Sequence, residues 1–294
     1  MTKDRTPVYA IILVGGKGKR LKPLSTDARP KAFLSVTADR KTMFGSTLNR
    51  VRGFVGKKNI MVVANAAHSK LVRTDFPDIR KNNLLLESVS RNTAPAIAFA
   101  AHKVMASHGD AIMVILPSDQ YVIGLREYIG AVKKGISFIR KNEDAIILLG
   151  VKPASPSTHF GYLKMQDVRC KTRGIYKVTK FAEKPDIKTA KRYLRSGQYL
   201  WNSGAFIFTA SSILKNIKRF APRISDLLDK GMRYYKEMPD ISIDYAVMEK
   251  SSDIYCVTGS YSWNDMGNFD NLISVLRREC RNFVFENGKV TAIL

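Results

Sequence analysis

The junction between a short apolar run and a cationic glycine loop constrains the fold most. Residues 8–14 (VYAIILV) run without interruption into Gly15-Gly16-Lys17-Gly18-Lys19-Arg20. So short and continuous an apolar run fits a strand buried on both faces, in a sheet covered by helices. A glycine-rich loop directly after such a strand lies at the carboxyl edge of the sheet, where open α/β sheets bind ligands. Glycine lets backbone approach an anion and aims several N–H groups at it. Lys17, Lys19, Arg20 and Lys22 add positive charge. GxxxxGK[ST] does not fit the loop. The dinucleotide fingerprint fails as well, because Leu21 takes the third glycine position and Asn65, not an acid, ends the second strand. These residues alone leave a phosphate loop and a tight turn with solvated lysines both open.

The pattern downstream extends the α/β reading. Phe44, Leu48, Val51 and Val55 recur at helical spacing, residues 60–64 and 84–86 read as strands, and the Ala-rich residues 93–107 read as a helix with Pro95 in its first turn. Residues 111–116 and 146–151 are further apolar runs. Strands alternating with helices imply right-handed crossovers and a mostly parallel, Rossmann-like sheet flanked by helices. After Lys152 the texture changes. Residues 162–168 and 175–183 look like two strands with no helix between them, and residues 186–195 like a helix opened by Asp186. A strand at 205–209 and helices through Met248 follow. One domain over residues 1–280 is expected, with a nucleotide half to about residue 151 and a strand-rich lobe over 152–280. Residues 281–294 read as a short closing β hairpin turning at Asn287-Gly288.

Composition excludes several classes. With 45% apolar residues, the 294-residue chain can bury a core. No apolar run approaches the ~20 residues of a membrane span, and the start lacks the layout of a signal peptide. Three cysteines without a CxxC read as reduced thiols in a cytoplasmic protein, and four histidines show no zinc-ligand spacing. Lys plus Arg is 49 against 25 acids, a net +24. That excess favours anionic partners, but the cations are dispersed and no basic-aromatic stripe suggests nucleic acid.

The loop continues as GGxGxRLxPLS with Pro30-Lys31 following. Downstream come Arg91-Asn92-Thr93-Ala94-Pro95, Leu116-Pro117-Ser118-Asp119, Phe160-Gly161-Tyr162, Phe181-Ala182-Glu183-Lys184-Pro185, Trp201-Asn202-Ser203-Gly204, residues 242–250 (SIDYAVMEK) and Trp263-Asn264-Asp265-Met266-Gly267. In this order, over nearly the whole chain, they resemble the sugar-1-phosphate nucleotidyltransferases, and within them the mannose-1-phosphate guanylyltransferases. The resemblance implies a nucleotide-diphospho-sugar transferase fold with a strand-rich sugar-binding lobe. It implies transfer of GMP from GTP to α-D-mannose 1-phosphate, giving GDP-mannose and pyrophosphate, with Mg2+ as cofactor. Asp119 and Asp265 would hold the metal; Arg20 would face the leaving pyrophosphate and Lys31 the α-phosphate. Val14, Gly15, Gly16 and Gly18 would line the nucleotide, and Asn92 and Thr93 the base. Gly161, Glu183 and Asn202 would contact the sugar and Lys184 its phosphate.

Taken without the resemblance, Asp119 is also a good loop cap, Lys184 a surface ion-pair partner, Thr93 a helix N-cap and Asn202-Ser203-Gly204 a turn. Trp201 and Trp263 read as pocket walls or core. A Cβ at Gly16 is expected to meet ligand rather than strain the fold. Three departures from the family pattern stand out: Val14 for a usual alanine, Gln120 for a common histidine, and His159 for a small glycine. The rival readings are another sugar-1-phosphate nucleotidyltransferase and a non-catalytic nucleotide-sugar sensor. At this length a second, isomerase domain is not expected, and a homo-oligomer stays open.

Overall fold

Strand β1 (Val8–Val14) is buried along almost its whole length. Its alternate side chains enter two cores: Tyr9 and Ile11 pack on one face of the sheet, Ala10, Ile12 and Val14 on the other. This two-sided burial is why the run is apolar without alternation. The computed structural model describes residues 6–16, 18–36, 41–166, 174–279, 283–286 and 289–292.

After β1 come α1 (Met43–Arg52), β2 (Ile60–Asn65), α2 (Ser69–Asp75), β3 (Leu84–Glu87), α3 (Thr93–His108) and β4 (Ile112–Pro117). The four strands pair in parallel in the order β3-β2-β1-β4. A short β5 (Tyr121–Ile123), α4 (Leu125–Ile139) and β6 (Ile146–Val151) lead into the lobe, formed by β7 (Tyr162–Met165), β8 (Ile175–Ala182) and α5 (Ile187–Ser196). Then follow β9 (Tyr199–Thr209), α6 (Ala210–Phe220), α7 (Pro222–Asp229), a π-helical turn at Asp244–Met248, β10 (Ile254–Thr258), β11 (Ser262–Asn264) and α8 (Phe269–Glu279). Strands β12 (Phe283–Glu286) and β13 (Lys289–Ala292) form the expected antiparallel pair; the Asn287-Gly288 turn lies outside the described residues.

The α/β class holds, but the sheet is mixed rather than mostly parallel. Eleven-residue β9 runs antiparallel between β4 and β6, while β10 lies parallel to β6. The Ala205–Thr209 end of β9 is buried throughout because both its faces are covered, so its composition reads like a parallel strand although its direction is reversed. The sequence also hid the start of β9. Trp201-Asn202-Ser203-Gly204 is not a turn but part of the strand, at a register irregularity against β6. Gly204 takes φ +73°, and its N–H donates to Asn202 Oδ1 at 3.0 Å, a turn-like bond inside a bulge.

This bulged half of β9 positions the lobe. Trp201 pairs with Val151 at the end of β6 and with Tyr162 at the start of β7. The hairpin of β7 and β8 therefore continues beyond the carboxyl ends of the parallel strands and walls that edge. Asp186 caps α5 as expected, accepting from Thr189 N at 2.9 Å. Of the expected 162–168 strand, β7 ends at Met165, and residues 167 and 168 lie outside the described residues.

Candidate nucleotide and sugar site

The glycines after β1 divide by role. A Cβ at Gly15 would meet nothing within 4 Å, and Gly15 does not need positive φ. Gly16 is equally open but takes φ +89°. The sequence-based expectation for Gly16 is corrected on this point: any side chain there strains the backbone, whatever the ligand does. Gly18 (φ +60°) is structural, since a Cβ would lie 2.8 Å from Lys31 Cβ. Its carbonyl accepts from Leu21 N and Ser25 Oγ, both at 2.7 Å, so the loop is pinned. Leu21 and Leu24 bury into a cluster with Met266, Leu272 and Leu276, tying the loop to α8.

The two acids expected to hold a metal come from distant parts of the chain. Asp119 lies in the turn after β4, two residues before β5; Asp265 directly follows β11. Strands β5 and β11 pair antiparallel with Tyr121 opposite Asn264, so the ribbon brings the two acids together. Lys31, on a buried 3-10 turn, confirms the proximity: Nζ lies 2.9 Å from Asp119 Oδ2 and donates to the Asp265 carbonyl. Asn271 Nδ2 donates to Asp265 Oδ1 at 2.7 Å. A Cβ at Gly267 would collide with Asp265 Oδ2 and lie 3.2 Å from Arg20 Nη2, so Arg20 reaches the same small glycine.

Beneath Asp119 lies a support that the sequence did not disclose. Thr47 Oγ1 donates to the Ser118 carbonyl at 3.2 Å, and Arg50 Nη2 donates to the Gln120 carbonyl at 3.0 Å and to Thr47 at 2.6 Å. Both carbonyls flanking Asp119 are thus held from α1. Burial depresses the Arg50 pKa.

The Arg91–Pro95 segment opens α3, but Asn92, not Thr93, is the cap: Asn92 Oδ1 accepts from Thr93 N at 2.9 Å. Thr93 Oγ1 instead accepts from Ile243 N at 2.8 Å, joining α3 to the start of the π turn. At the end of β3, buried Glu87 accepts from the Tyr235 hydroxyl. Burial raises its pKa against the effect of that bond.

Gly161, Glu183, Lys184 and Asn202 gather as expected, around one more acid, Asp244. Asn202 N donates to the Gly161 carbonyl at 2.8 Å and Asn202 Nδ2 to Asp244 Oδ1 at 2.9 Å. A Cβ at Gly161 would lie 2.5 Å from Glu183 Oε2, so the glycine makes room for that carboxylate. Lys184 pairs with Glu183. Burial and the Glu183 charge push Asp244 up to about 7, with Lys184 and the Asn202 bond opposing. For Lys184, burial works against the charge, but the bond and charge of Glu183 outweigh it and raise its pKa. The non-glycine residues with positive φ among those described are Asn92, Lys184 and Met266, one in each of the three groups of site residues. Such strained backbone concentrates where ligands are held.

One cavity of about 460 Å³ joins the glycine loop, the start of α3, Asp119 and Asp244, and is lined by Val14, Gly15, Gly16, Glu87, Asn92, Thr93, Asp119, Gly204 and Asp244 among others. Asp244 links this cavity to the Glu183–Lys184–Asn202 group. Gly18, Arg20, Lys31 and Asp265 are not among the residues that line it. A larger cavity of about 740 Å³, between α4, β6 and β10, contains none of the expected site residues. No helix among the described residues is long and apolar enough to cross a membrane.

The fold and the clustered residues define an α/β protein of the nucleotide-diphospho-sugar transferase type. Residues 9–281 match the nucleotidyl transferase family model, and the chain belongs to that family. Xanthan biosynthesis protein XanB of Xanthomonas campestris is 35% identical over 288 residues, covering 92% of this chain and 60% of that protein. The mannose-1-phosphate guanylyltransferase of Escherichia coli K12 is 32% identical over 288 residues, covering 91% and 59%. A Thermus thermophilus crystal structure described as a mannose-1-phosphate geranyltransferase superposes with TM-score 0.83 at 31% identity, covering 92% of this chain and 79% of that one. The chain spans about 60% of the length of the curated relatives it matches.

Nucleotidyltransferases of this family typically use a divalent metal. The donor set fits one: Asp119 and Asp265 offer hard oxygens and leave most of the coordination shell to phosphate and water. No group of three metal-ligating side chains occurs among the described residues, so a closed protein cage is absent there.

Proposed function

We propose that this chain transfers GMP from GTP to α-D-mannose 1-phosphate, releasing pyrophosphate and GDP-mannose. The observation that carries the reading is the continuity of one cavity from the glycine loop and Asp119 to Asp244, which touches the Glu183–Lys184–Asn202 group.

The residues divide the work by their chemistry. Backbone N–H groups at Gly15 and Gly16 receive the triphosphate. Arg20 suits the leaving pyrophosphate, with its planar fork of donors, and Lys31 brings a point charge to the α-phosphate side. Asp119 and Asp265 hold Mg2+, which when bound neutralises phosphate charge. At the base end, a Glu87 carboxylate suits guanine, whose N1–H and 2-amino group are adjacent donors; adenine lacks that pair. Asn92 and Thr93 frame the same end. Glu183 and Asn202 accept and donate to sugar hydroxyls, and Lys184 binds the sugar phosphate.

A phosphate oxygen of mannose 1-phosphate attacks the α-phosphorus. The bond from the α-phosphorus to the α,β-bridging oxygen breaks opposite the incoming oxygen, and the electron pair leaves with pyrophosphate. No covalent enzyme intermediate is required, and rate enhancement comes from alignment and charge stabilisation.

A matrix of nucleoside triphosphates against sugar 1-phosphates, assayed by pyrophosphate release, tests the proposal. GTP with mannose 1-phosphate is expected to give the highest kcat/KM. Faster turnover of glucose 1-phosphate with another triphosphate would replace the substrate assignment. GDP-mannose binding without any pyrophosphate release would replace the enzyme with a sensor.

A further inference from the structure

Three aromatic side chains stand outside the cavity, yet each adjoins a residue of the site in sequence. Phe160 precedes Gly161, Trp201 precedes Asn202, and Trp263 precedes Asn264-Asp265. Their rings meet around Phe160, edge-to-face with Trp201 at 4.9 Å between centroids and with Trp263 at 5.1 Å. Trp201 belongs to the lobe, paired with Tyr162. Trp263 belongs to the ribbon that places the acids, paired with Val122 of β5. Phe160 therefore packs between the sugar lobe and the ribbon.

The two ends of this contact are firmly tied to the site. At the lobe end, Asn202 N bonds the Gly161 carbonyl at 2.8 Å, so Phe160 and Trp201 move with the sugar group. At the ribbon end, Asn264 Oδ1 accepts from Met266 N at 2.7 Å, and the bond spans Asp265. The middle is held differently. Both indole N–H groups are buried without an acceptor, so ring packing rather than hydrogen bonding fixes the tryptophans. A cavity of about 450 Å³, lined by all three rings, gives them room to shift.

We infer that Phe160 is a positioning residue that couples occupancy of the sugar-phosphate group to the placement of Asp265, so that the two substrates tighten each other's binding. The inference rests on the proposed activity for the identity of its ligands. Closing Glu183 and Asn202 on a sugar moves the Gly161 backbone. Phe160 passes that movement to Trp263 and so to Asp265, two residues further along the chain. Linkage makes the effect reciprocal.

Calorimetric titration of the full chain with mannose 1-phosphate, with and without Mg2+ and a GTP analogue non-hydrolysable between the α- and β-phosphates, measures the coupling. The wild type is expected to bind mannose 1-phosphate at least about fivefold more tightly when the analogue is present, and the analogue equally more tightly when the sugar is present. Phe160→Leu keeps an apolar side chain but removes the ring edges. It is expected to retain each separate affinity within about twofold and to lose the mutual tightening. The chain contains only two tryptophans, both against Phe160, so emission reports the bridge directly. Each ligand alone should shift wild-type emission, and the shift at the far tryptophan should vanish in Phe160→Leu; Trp201→Phe and Trp263→Phe identify which indole responds. If Phe160→Leu folds poorly, Phe160→Tyr should restore both the fold and the coupling. Mutual tightening that survives in Phe160→Leu, or its absence in a wild type that binds both ligands, overturns the inference alone. A wild type that binds no mannose 1-phosphate overturns the substrate assignment, and the inference falls with it.

Discussion

Replacing Gly15 by alanine separates ligand contact from folding more cleanly than any other change in the loop. The new Cβ has no protein atom within 4 Å, and no positive φ opposes it. An alanine that fits its backbone restricts the unfolded chain and stabilises by about 0.4–1 kcal/mol. The melting temperature should therefore hold or rise slightly. Gly15 lines the cavity, however, and the proposed triphosphate lies against its backbone. Displacing one backbone N–H bond to a charged group costs about 1.5–3 kcal/mol, on the order of 10- to 150-fold in affinity. Gly18→Ala is the contrasting control. It combines φ +60° with a 2.8 Å approach to Lys31 Cβ, so it should lower stability and disturb Lys31 against Asp119. Calorimetric GTP titration beside thermal melting of both variants decides the matter. Unchanged GTP affinity in Gly15→Ala would remove the triphosphate from this loop; a melting loss as large as that of Gly18→Ala would show that the space is not open.

Lys184→Ala should raise the KM for mannose 1-phosphate by about ten- to a hundredfold while leaving GTP binding nearly intact, because it removes one charged hydrogen bond; equal loss toward both substrates in steady-state kinetics counts against it. Asp119→Asn and Asp265→Asn should each abolish most turnover and weaken Mg2+ binding with little change in melting temperature; full activity in excess chelator refutes the metal assignment. Asp244 carries a pH dependence whose sign follows from its raised pKa of about 7. Below that value it is neutral and repels the sugar phosphate less, so KM for mannose 1-phosphate should fall as pH drops from about 8 toward 6.5, above the second phosphate pKa of ~6. The same raised pKa means that Asp244 destabilises the fold increasingly as pH rises from the unfolded carboxylate range near ~4 toward 7. Asp244→Asn should therefore gain stability relative to wild type at pH 8 but not at pH 4, and should flatten the KM profile; an unchanged profile in that variant assigns the titration elsewhere.

What the sequence revealed and what it hid follow one physical division. Short apolar strand runs and helices opened by a capping side chain carry their signal locally, so β1, β2, β3, α3 and α5 could be read from residues a few positions apart. Direction and pairing are not local. Nothing in the apolar composition of β9 distinguishes a strand running with its neighbours from one running against them. Ile254, Cys256 and Val257 of β10 are buried beside β6, yet a five-residue run after a polar loop gives little signal on its own.

The site divides in the same way. Residues within one short segment, such as Gly15-Gly16 or Glu183-Lys184, could be nominated together. The three-residue ribbon of β5 and β11, which makes Asp119 and Asp265 neighbours, has no local signature at either end. Glu87 and Asp244 were missed for a related reason. An acid at the end of a strand, or at the start of a helical turn, usually caps or solvates, and only burial marks it otherwise. The half-buried setting of Asp244 depends on Asn202, Glu183 and Lys184 arriving from distant parts of the chain. Its single advance trace was positional, inside the 242–250 stretch, where the backbone forms a π-helical turn. Such turns often mark functional sites, because the widened helix re-aims a side chain inward. Here that side chain is the carboxylate that links the glycine-loop cavity to the Glu183–Lys184–Asn202 group.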